Sequence, residues 1–219
     1  MEKYFEVLRR CSLFSNVEDE NIISMCRCLG AKIVGYNKKE TILSEGEPAK
    51  YIGIVLLGIT QIVQVDYFGN RSIVECVGPS ELFGETFACA EVNAIPVDII
   101  SNDKTEIMFI DCIRITQSCD NACSFHQQMI FNLMKVIATK TLTFHQKIEI
   151  ISKRSTREKL MTYMRLQEKK NKSNSFEIPY DRQELADYLG VERSGLSAEI
   201  SKLRKEGILE CKKNRFMLL

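Results

Sequence analysis

Residues 122–151 run for about thirty positions without a proline or a glycine, and this stretch most constrains what the chain can become. A helix of that length is long for the surface of a compact domain, so its apolar residues need a partner. Ile130, Leu133, Ile137, Phe144, Ile148 and Ile151 are spaced three, four, seven, four and three apart. That seam fits a coiled-coil partner, with one polar interruption at Lys140-Thr141. The expectation is a homodimer whose interface holds Ile130, Leu133, Ile137, Phe144 and Ile148. The competing reading packs the same face on the chain's own preceding domain.

Upstream the hydrophobic period changes. Residues 2–11 and 18–28 read as two short helices, the second capped by Asn16 or Ser15. From residue 31 onward, short segments rich in β-branched residues (32–34, 41–43, 51–57, 60–67, 71–77, 97–101 and 106–110) alternate with turn residues. The turns fall at Glu45-Gly46-Glu47-Pro48, Gly58, Gly69-Asn70, Gly78-Pro79 and Asn102-Asp103. Several short strands at this spacing predict an all-β roll or barrel. Downstream of the long helix, Ser152-Lys153-Arg154-Ser155 is a candidate hinge. Helical pattern resumes over 156–167 and ends at the polar run 169–175.

Charge divides the chain at the same place. The formal net charge is +1, yet residues 1–149 hold 14 Lys+Arg against 19 Asp+Glu, a balance of −5, while residues 150–219 hold 16 against 10, a balance of +6. A small basic C-terminal module points to a polyanion partner. The start, MEKYFEVLRR, has charges scattered through it where a secretory leader would be apolar, and no run of eighteen apolar residues occurs. A cytoplasmic protein without membrane contact is expected. Nine cysteines, an odd number with no regular framework, then read as thiols and not as disulfides.

Within the basic module, residues 181–209 contain two helical patterns separated by Gly190. Leu185, Ala186 and Leu189 form the inward face of the first helix, with Ala186 small enough for close approach. Leu196, Ile200 and Leu203 form the inward face of the second, which predicts a helix-turn-helix. Glu192, Arg193, Ser194, Ser197, Ala198 and Lys202 then lie near the outer face, and Arg193 is the candidate for pairing with a guanine edge. Lys202, Arg204, Lys205, Lys212, Lys213 and Arg215 are candidate phosphate contacts, and Arg182 is a further candidate DNA-binding residue. Residues 208–210 with 216–218 read as a β-hairpin wing. The competing reading of the basic surface is a solvated face.

Taken end to end, these features resemble the cyclic-AMP receptor / fumarate and nitrate reduction regulator superfamily. The residues that carry the likeness are Leu13-Phe14-Ser15, Glu45-Gly46-Glu47-Pro48-Ala49 before a strand ending at Gly58, Phe83-Gly84-Glu85, the long helix and the 181–209 motif. Lys153-Arg-Ser-Thr-Arg-Glu-Lys-Leu160 is similar to the lead-in of regulators from low-GC Gram-positive bacteria. The resemblance implies a double-stranded DNA operator, a homodimer and RNA polymerase as partners. It also implies an effector pocket at Gly84-Glu85, the pair that holds ribose in cyclic-nucleotide binders. Those binders carry an Arg-Ser or Arg-Thr pair about ten residues later, whereas here the chain reads Ala94-Ile95-Pro96-Val97, with no cation in residues 86–103. A buried phosphate would lack a positive partner, so cyclic AMP is not the expected ligand and Gly84-Glu85 reads as a remnant that ends a strand. The recognition helix departs too, with Ser194 and Ala198 where readers of TGTGA-like half-sites carry a Glu and a second Arg.

Cys112, Cys119, Cys123 and His126 gather at the join between the roll and the long helix, a candidate for metal, haem or redox chemistry, since Cys123 and His126 lie three apart on one helical face. Cys26 and Cys28 fit packing better. His145 is either a haem contact at the dimer interface, as in some haem-sensing relatives, or an exposed or interface polar residue.

The expected fold class is α+β: a β-roll sensor at residues 1–115, a dimerisation helix at 116–151 and a winged helix-turn-helix at 152–219. The expected function is transcriptional regulation in response to an effector or a redox or gas signal, with a haem- or metal-dependent nitric oxide sensor as a variant. Two rivals come from other classes. A cupin-like enzyme needs clustered histidines in the roll, and residues 1–125 have none. A ligand-independent protein-interaction module would lack the salt dependence of phosphate contacts.

Overall fold

The computed structural model describes residues 1–116 and 124–219. They form two compact units, residues 1–65 with 74–141 and residues 66–73 with 142–219.

The first unit is built on two four-stranded sheets. One has the order β1-β8-β3-β6 and the other β2-β7-β4-β5. Their strands are β1 (Lys32–Tyr36), β2 (Thr41–Leu43), β3 (Tyr51–Leu57), β4 (Thr60–Val65), β5 (Arg71–Val77), β6 (Leu82–Phe83), β7 (Asp98–Ser101) and β8 (Thr105–Asp111). Strand β3 shows why the unit holds together, because both its faces are covered. Ile52, Ile54 and Leu56 join a core with Leu8, Leu13 and Phe14 from the N-terminal segment, while Val55 joins a second core between the sheets with Phe83, Ile99 and Ile107. Each buried side chain of this kind contributes about 1.5–3 kcal/mol. Gly53 cannot be larger, since a Cβ there would overlap the Phe83 ring.

Four short helices accompany the sheets: α1 (Phe5–Arg10), α2 (Asp19–Cys28), α3 (Glu85–Cys89) and α4 (Cys112–Thr116). The expected cap of α2 is not found. Its N-cap is Glu18, with no side-chain cap bond, and Asn16 instead takes a left-handed turn at φ 60. Two elements absent from the sequence reading, β6 and α3, frame Gly84, whose φ of 77 makes the corner between them.

Helix α5 (Ser124–Ile151) belongs to the first unit up to Thr141 and to the second from Leu142. Its buried stripe corrects the expected seam. Met129, Leu133 and Val136 are buried in the unit's own core, with Ile137 packed against it. Asn132, also buried, donates from Nδ2 to the carbonyls of Leu13 (2.9 Å) and Ser15 (2.7 Å). The apolar side chains of α5 left exposed are Phe131, Met134, Leu142, Ile148 and Ile151; Ile148 and Ile151 continue the expected stripe, and the other three lie to one side of it. Of the five expected interface residues only Ile148 is exposed, because the chain's own core covers the stripe at Leu133 and Ile137, while Ile130 and Phe144 are half-buried. Among the described residues, no helix is long and apolar enough to cross a membrane.

The second unit contains α6 (Thr156–Asn171), β9 (Ser175–Glu177), α7 (Arg182–Leu189), α8 (Arg193–Lys205), β10 (Leu209–Lys212) and β11 (Arg215–Leu218). Ser155 and Asp181 begin α6 and α7 with reciprocal capping boxes to Glu158 and Glu184, each satisfying two orphan donors. Helix α6 continues four residues beyond Gln167 and ends at Lys172, in the left-handed region at φ 51. The wing has a third strand not foreseen, giving the order β10-β11-β9, with Phe216 opposite Phe176.

Candidate nucleic-acid interface

Gly190, at φ 60, ends α7 in the left-handed conformation, and three residues later α8 begins. Leu196, Ile200 and Leu203 are buried along one face of α8, as the spacing predicts. The opposite side leaves Arg193, Ser194, Ala198 and Lys202 exposed and Ser197 half-buried. The first helical bond of α8 is Leu196 N–H to Glu192 O at 2.9 Å, and Glu192 makes no side-chain cap bond. The amides of Arg193, Ser194 and Gly195 therefore have no helical acceptor. A helix start with free amides and an exposed arginine is suited to an anion.

The orientation of α8 is held from α6. Arg157 Nη2 lies 2.6 Å from Glu206 Oε2, and Nη1 lies 3.3 Å from Glu199 Oε1. The planar guanidinium thus spans two carboxylates on the helix it positions, and its bond to Glu206 holds that carboxyl below its usual range. Lys159 Nζ also donates to the Gly190 carbonyl at 3.1 Å. Tyr180 and Tyr188 stack at 4.8 Å between ring centres, with Tyr163 against both. The sequence assigns Arg157 and Lys159 no contact, although both stand in the 153–160 stretch, because their carboxylate and carbonyl partners lie 31 to 49 residues away.

Beside α8 the wing forms an open groove of about 860 Å³, lined by Arg204, Lys205, Lys212 and Arg215 with one carboxylate, Glu210. Arg182 differs from the other candidate contacts. It is half-buried, its guanidinium lies over the Phe216 ring at 5.6 Å, and Nη2 reaches Cys211 Sγ at 3.9 Å. Its place is against the wing, where it braces β10 and β11.

In the first unit, the Gly84-Glu85 corner is closed from an unforeseen direction. Glu85 is buried, and its Oε1 lies 3.2 Å from Lys140 Nζ of α5. Lys140 also meets Glu75 Oε2 at 3.0 Å and donates to the Leu82 carbonyl at 2.7 Å. Burial pushes the Glu75 carboxyl up against the opposing pull of Lys140. For Lys140 burial acts downward, but the two carboxylates outweigh it and raise the ammonium above its ordinary value. Lys140, the residue that interrupts the apolar seam, thus brings a cation against Glu85. Ile95 and Val97 are buried apolar side chains.

The expected thiol and imidazole cluster is only partly within the described residues, since Cys119 and Cys123 lie outside them. Cys112 sits 3.6 Å from Cys89, sulfur to sulfur. His126 is buried, and its Nε2 donates to the Arg114 carbonyl at 3.2 Å. No group of three or more metal-ligating side chains occurs among the described residues. Cys26 is buried, with its thiol pushed up to about 12 by desolvation, whereas Cys28 and His145 are exposed.

Two family models match the chain, a cyclic nucleotide-binding domain over residues 33–121 and a Crp-like helix-turn-helix domain over residues 158–219. The transcriptional activator protein FnrA of Stutzerimonas stutzeri is 22% identical over 83% of this chain and 74% of its own length. The structure of FixK2 from Bradyrhizobium japonicum superposes with a TM-score of 0.68 at 20% identity, covering 86% of this chain and 92% of that one. The c-di-GMP responsive global regulator CLP of Xanthomonas campestris gives a TM-score of 0.72 at 17% identity, covering 89% and 97%. At these identities the two structures speak for the fold.

Proposed function

The chain belongs to the CRP/FNR family of transcriptional regulators, and from that premise we propose that it works as a homodimer in the cytoplasm, placing α8 of each copy in the major groove of an operator. The observation that carries this reading is the start of α8, where Arg193 and Ser194 are exposed beside three amides without helical acceptors. Arg193 reads a base edge. Ser194, Ser197, Lys202 and Arg204 hold phosphates with the wing cations, Glu192 flanks the base-reading face, and Arg182 supports the wing.

The roll and its helices are the sensor, the open face of α5 joins the two copies, and the basic unit reads DNA. RNA polymerase is the further partner that the family resemblance supports, and the protein acts as a regulator without catalysis. The kinship with low-GC Gram-positive regulators rests on residues 153–160 alone. A signal shifts the population between two arrangements of the paired long helices and so changes the match between two recognition helices and grooves one turn, about 34 Å, apart.

Cyclic AMP is not the signal in this reading. Glu85 is engaged by Lys140, and residues 86–103 supply no cation for a phosphate, Ile95 and Val97 being buried apolar side chains. Selection of duplexes from a random library by the full-length protein tests the proposal. It should enrich an inverted repeat with half-sites one turn apart, and enrichment of no sequence, or of a single unrepeated site, would contradict it.

A further inference from the structure

The first unit holds a pair of thiols that DNA reading does not use. Cys89 ends α3 and Cys112 begins α4, and their sulfurs stand 3.6 Å apart in hydrogen-bond contact. Cys89 is exposed while Cys112 is buried. Cys11 and Cys26 offer a contrast. Both are buried, with thiols pushed up to about 12 by desolvation, so neither meets an oxidant nor ionises near neutrality. An accessible thiol backed by a buried one is the arrangement from which a reversible disulfide forms.

We propose that Cys89 and Cys112 are an oxidisable pair that closes to an intramolecular disulfide on reaction with a hydroperoxide, Cys89 being attacked first and Cys112 resolving it. The chemistry stands on the pair itself, and only its purpose rests on the reading of the chain as a signal-responsive regulator. In the first step the Cys89 thiolate forms a bond to the near peroxide oxygen as the O–O bond breaks. The hydroxide or alkoxide that leaves takes up a proton, and Cys89 becomes a sulfenic acid. In the second step the Cys112 sulfur attacks the Cys89 sulfur and loses its proton. The S–O bond breaks and water departs. Two thiols are oxidised by two electrons in all, and one peroxide is reduced.

The two sulfurs are unequal in the way this order requires. The contact with Cys112 holds the Cys89 thiol below its ordinary range, against burial and the nearby Glu85 charge. The same contact, reinforced by burial, holds Cys112 well above the ordinary range. Cys89 is also the exposed sulfur of the two, so it is the one that meets the oxidant.

Closure has a mechanical consequence. A disulfide brings its sulfurs to about 2.05 Å, so the pair must approach by about 1.5 Å from its present 3.6 Å. Cys89 is one turn after Glu85 on the five-residue α3, placing both on one face. Movement of α3 toward α4 thus acts directly on the 3.2 Å contact between Glu85 and Lys140, which links this short helix to the long one.

The test treats the reduced full-length protein with stoichiometric hydrogen peroxide. It then maps thiols by peptide mass spectrometry and measures the reactivity of Lys140 toward an amine-acylating reagent in the native state. The expected result is loss of two free thiols per chain, a cross-linked peptide joining Cys89 to Cys112, and increased acylation of Lys140. Cys89→Ser and Cys112→Ala should each lose both the cross-link and the change at Lys140. Three results would overturn the proposal: over-oxidation of Cys89 without a cross-link, pairing of Cys112 with Cys119 or Cys123, or a Cys89–Cys112 disulfide that leaves Lys140 acylation unchanged. Operator binding by the reduced protein is measured alongside. Its absence would refute the function proposed above while leaving the thiol result standing.

Discussion

Glu85 Oε1 lies 3.2 Å from Lys140 Nζ, with the two side chains only 2% and 14% exposed, so a carboxylate from the corner after β6 and an ammonium from the long helix neutralise each other out of water. Breaking a buried pair from one side leaves an uncompensated charge, which costs about 3–5 kcal/mol. Lys140→Met should lower stability by about that amount in urea denaturation, and adding Glu75→Gln and Glu85→Gln to the same chain should restore most of it. A loss below about 1 kcal/mol would mean that the pair is open to solvent.

Glu75 gives this cluster a pH dependence of definite sign. Burial raises its carboxyl above the ordinary 4.5 despite Lys140, so in the window above 4.5 the folded protein holds a proton that the unfolded chain has released. The contribution of this group to stability is full below the ordinary value and is lost as pH rises through the raised one. Its slope can be no steeper than about 1.4 kcal/mol per pH unit. Denaturation midpoints measured across the mildly acidic range should show a falling component that Glu75→Gln removes.

The two faces of α5 should separate folding from association. Leu133 is buried in its own chain's core and Met134 is 56% exposed beside it. Leu133→Ala should cost about 2–5 kcal/mol of stability with the oligomer unchanged. Met134→Glu should leave the monomer folded and weaken the dimer, as read by sedimentation velocity. The reverse assignment would put the seam back on the Leu133 face.

Lys212 and Arg215 line the groove beside α8 and are assigned to phosphates. Replacing either by Ala should weaken binding to all duplexes alike and reduce the slope of log affinity against log salt by about 0.9. A sequence-dependent loss would instead make that residue a base reader.

What could be read in advance follows the range of the interactions. The strands β1 to β5 and the α7-Gly190-α8 turn are written in local periodicity and in one glycine, so they were legible. Strand β6, of two residues, is too short to carry a period, and β9 (Ser175–Glu177) starts inside the polar run 169–175, so only pairing defines them. The expected seam of α5 is partly covered, because apolar spacing finds a stripe but does not say which covering it receives, and Leu133 is covered by the chain's own core. Lys140 looked like a flaw in that stripe because its partners Glu75 and Glu85 are 65 and 55 positions away. Cys112 was grouped with neighbours in sequence, whereas its contact in space, Cys89, comes from 23 residues upstream.

The most direct test of the central claim is the salt dependence of full-length protein binding to its selected operator, by fluorescence anisotropy, for the native chain and Arg193→Ala. The account predicts a steep linear fall of log affinity with log salt for both proteins, with Arg193→Ala losing about 1–3 kcal/mol of discrimination between the operator and a duplex altered at one base pair. Affinity independent of salt, or discrimination unchanged by Arg193→Ala, would contradict it.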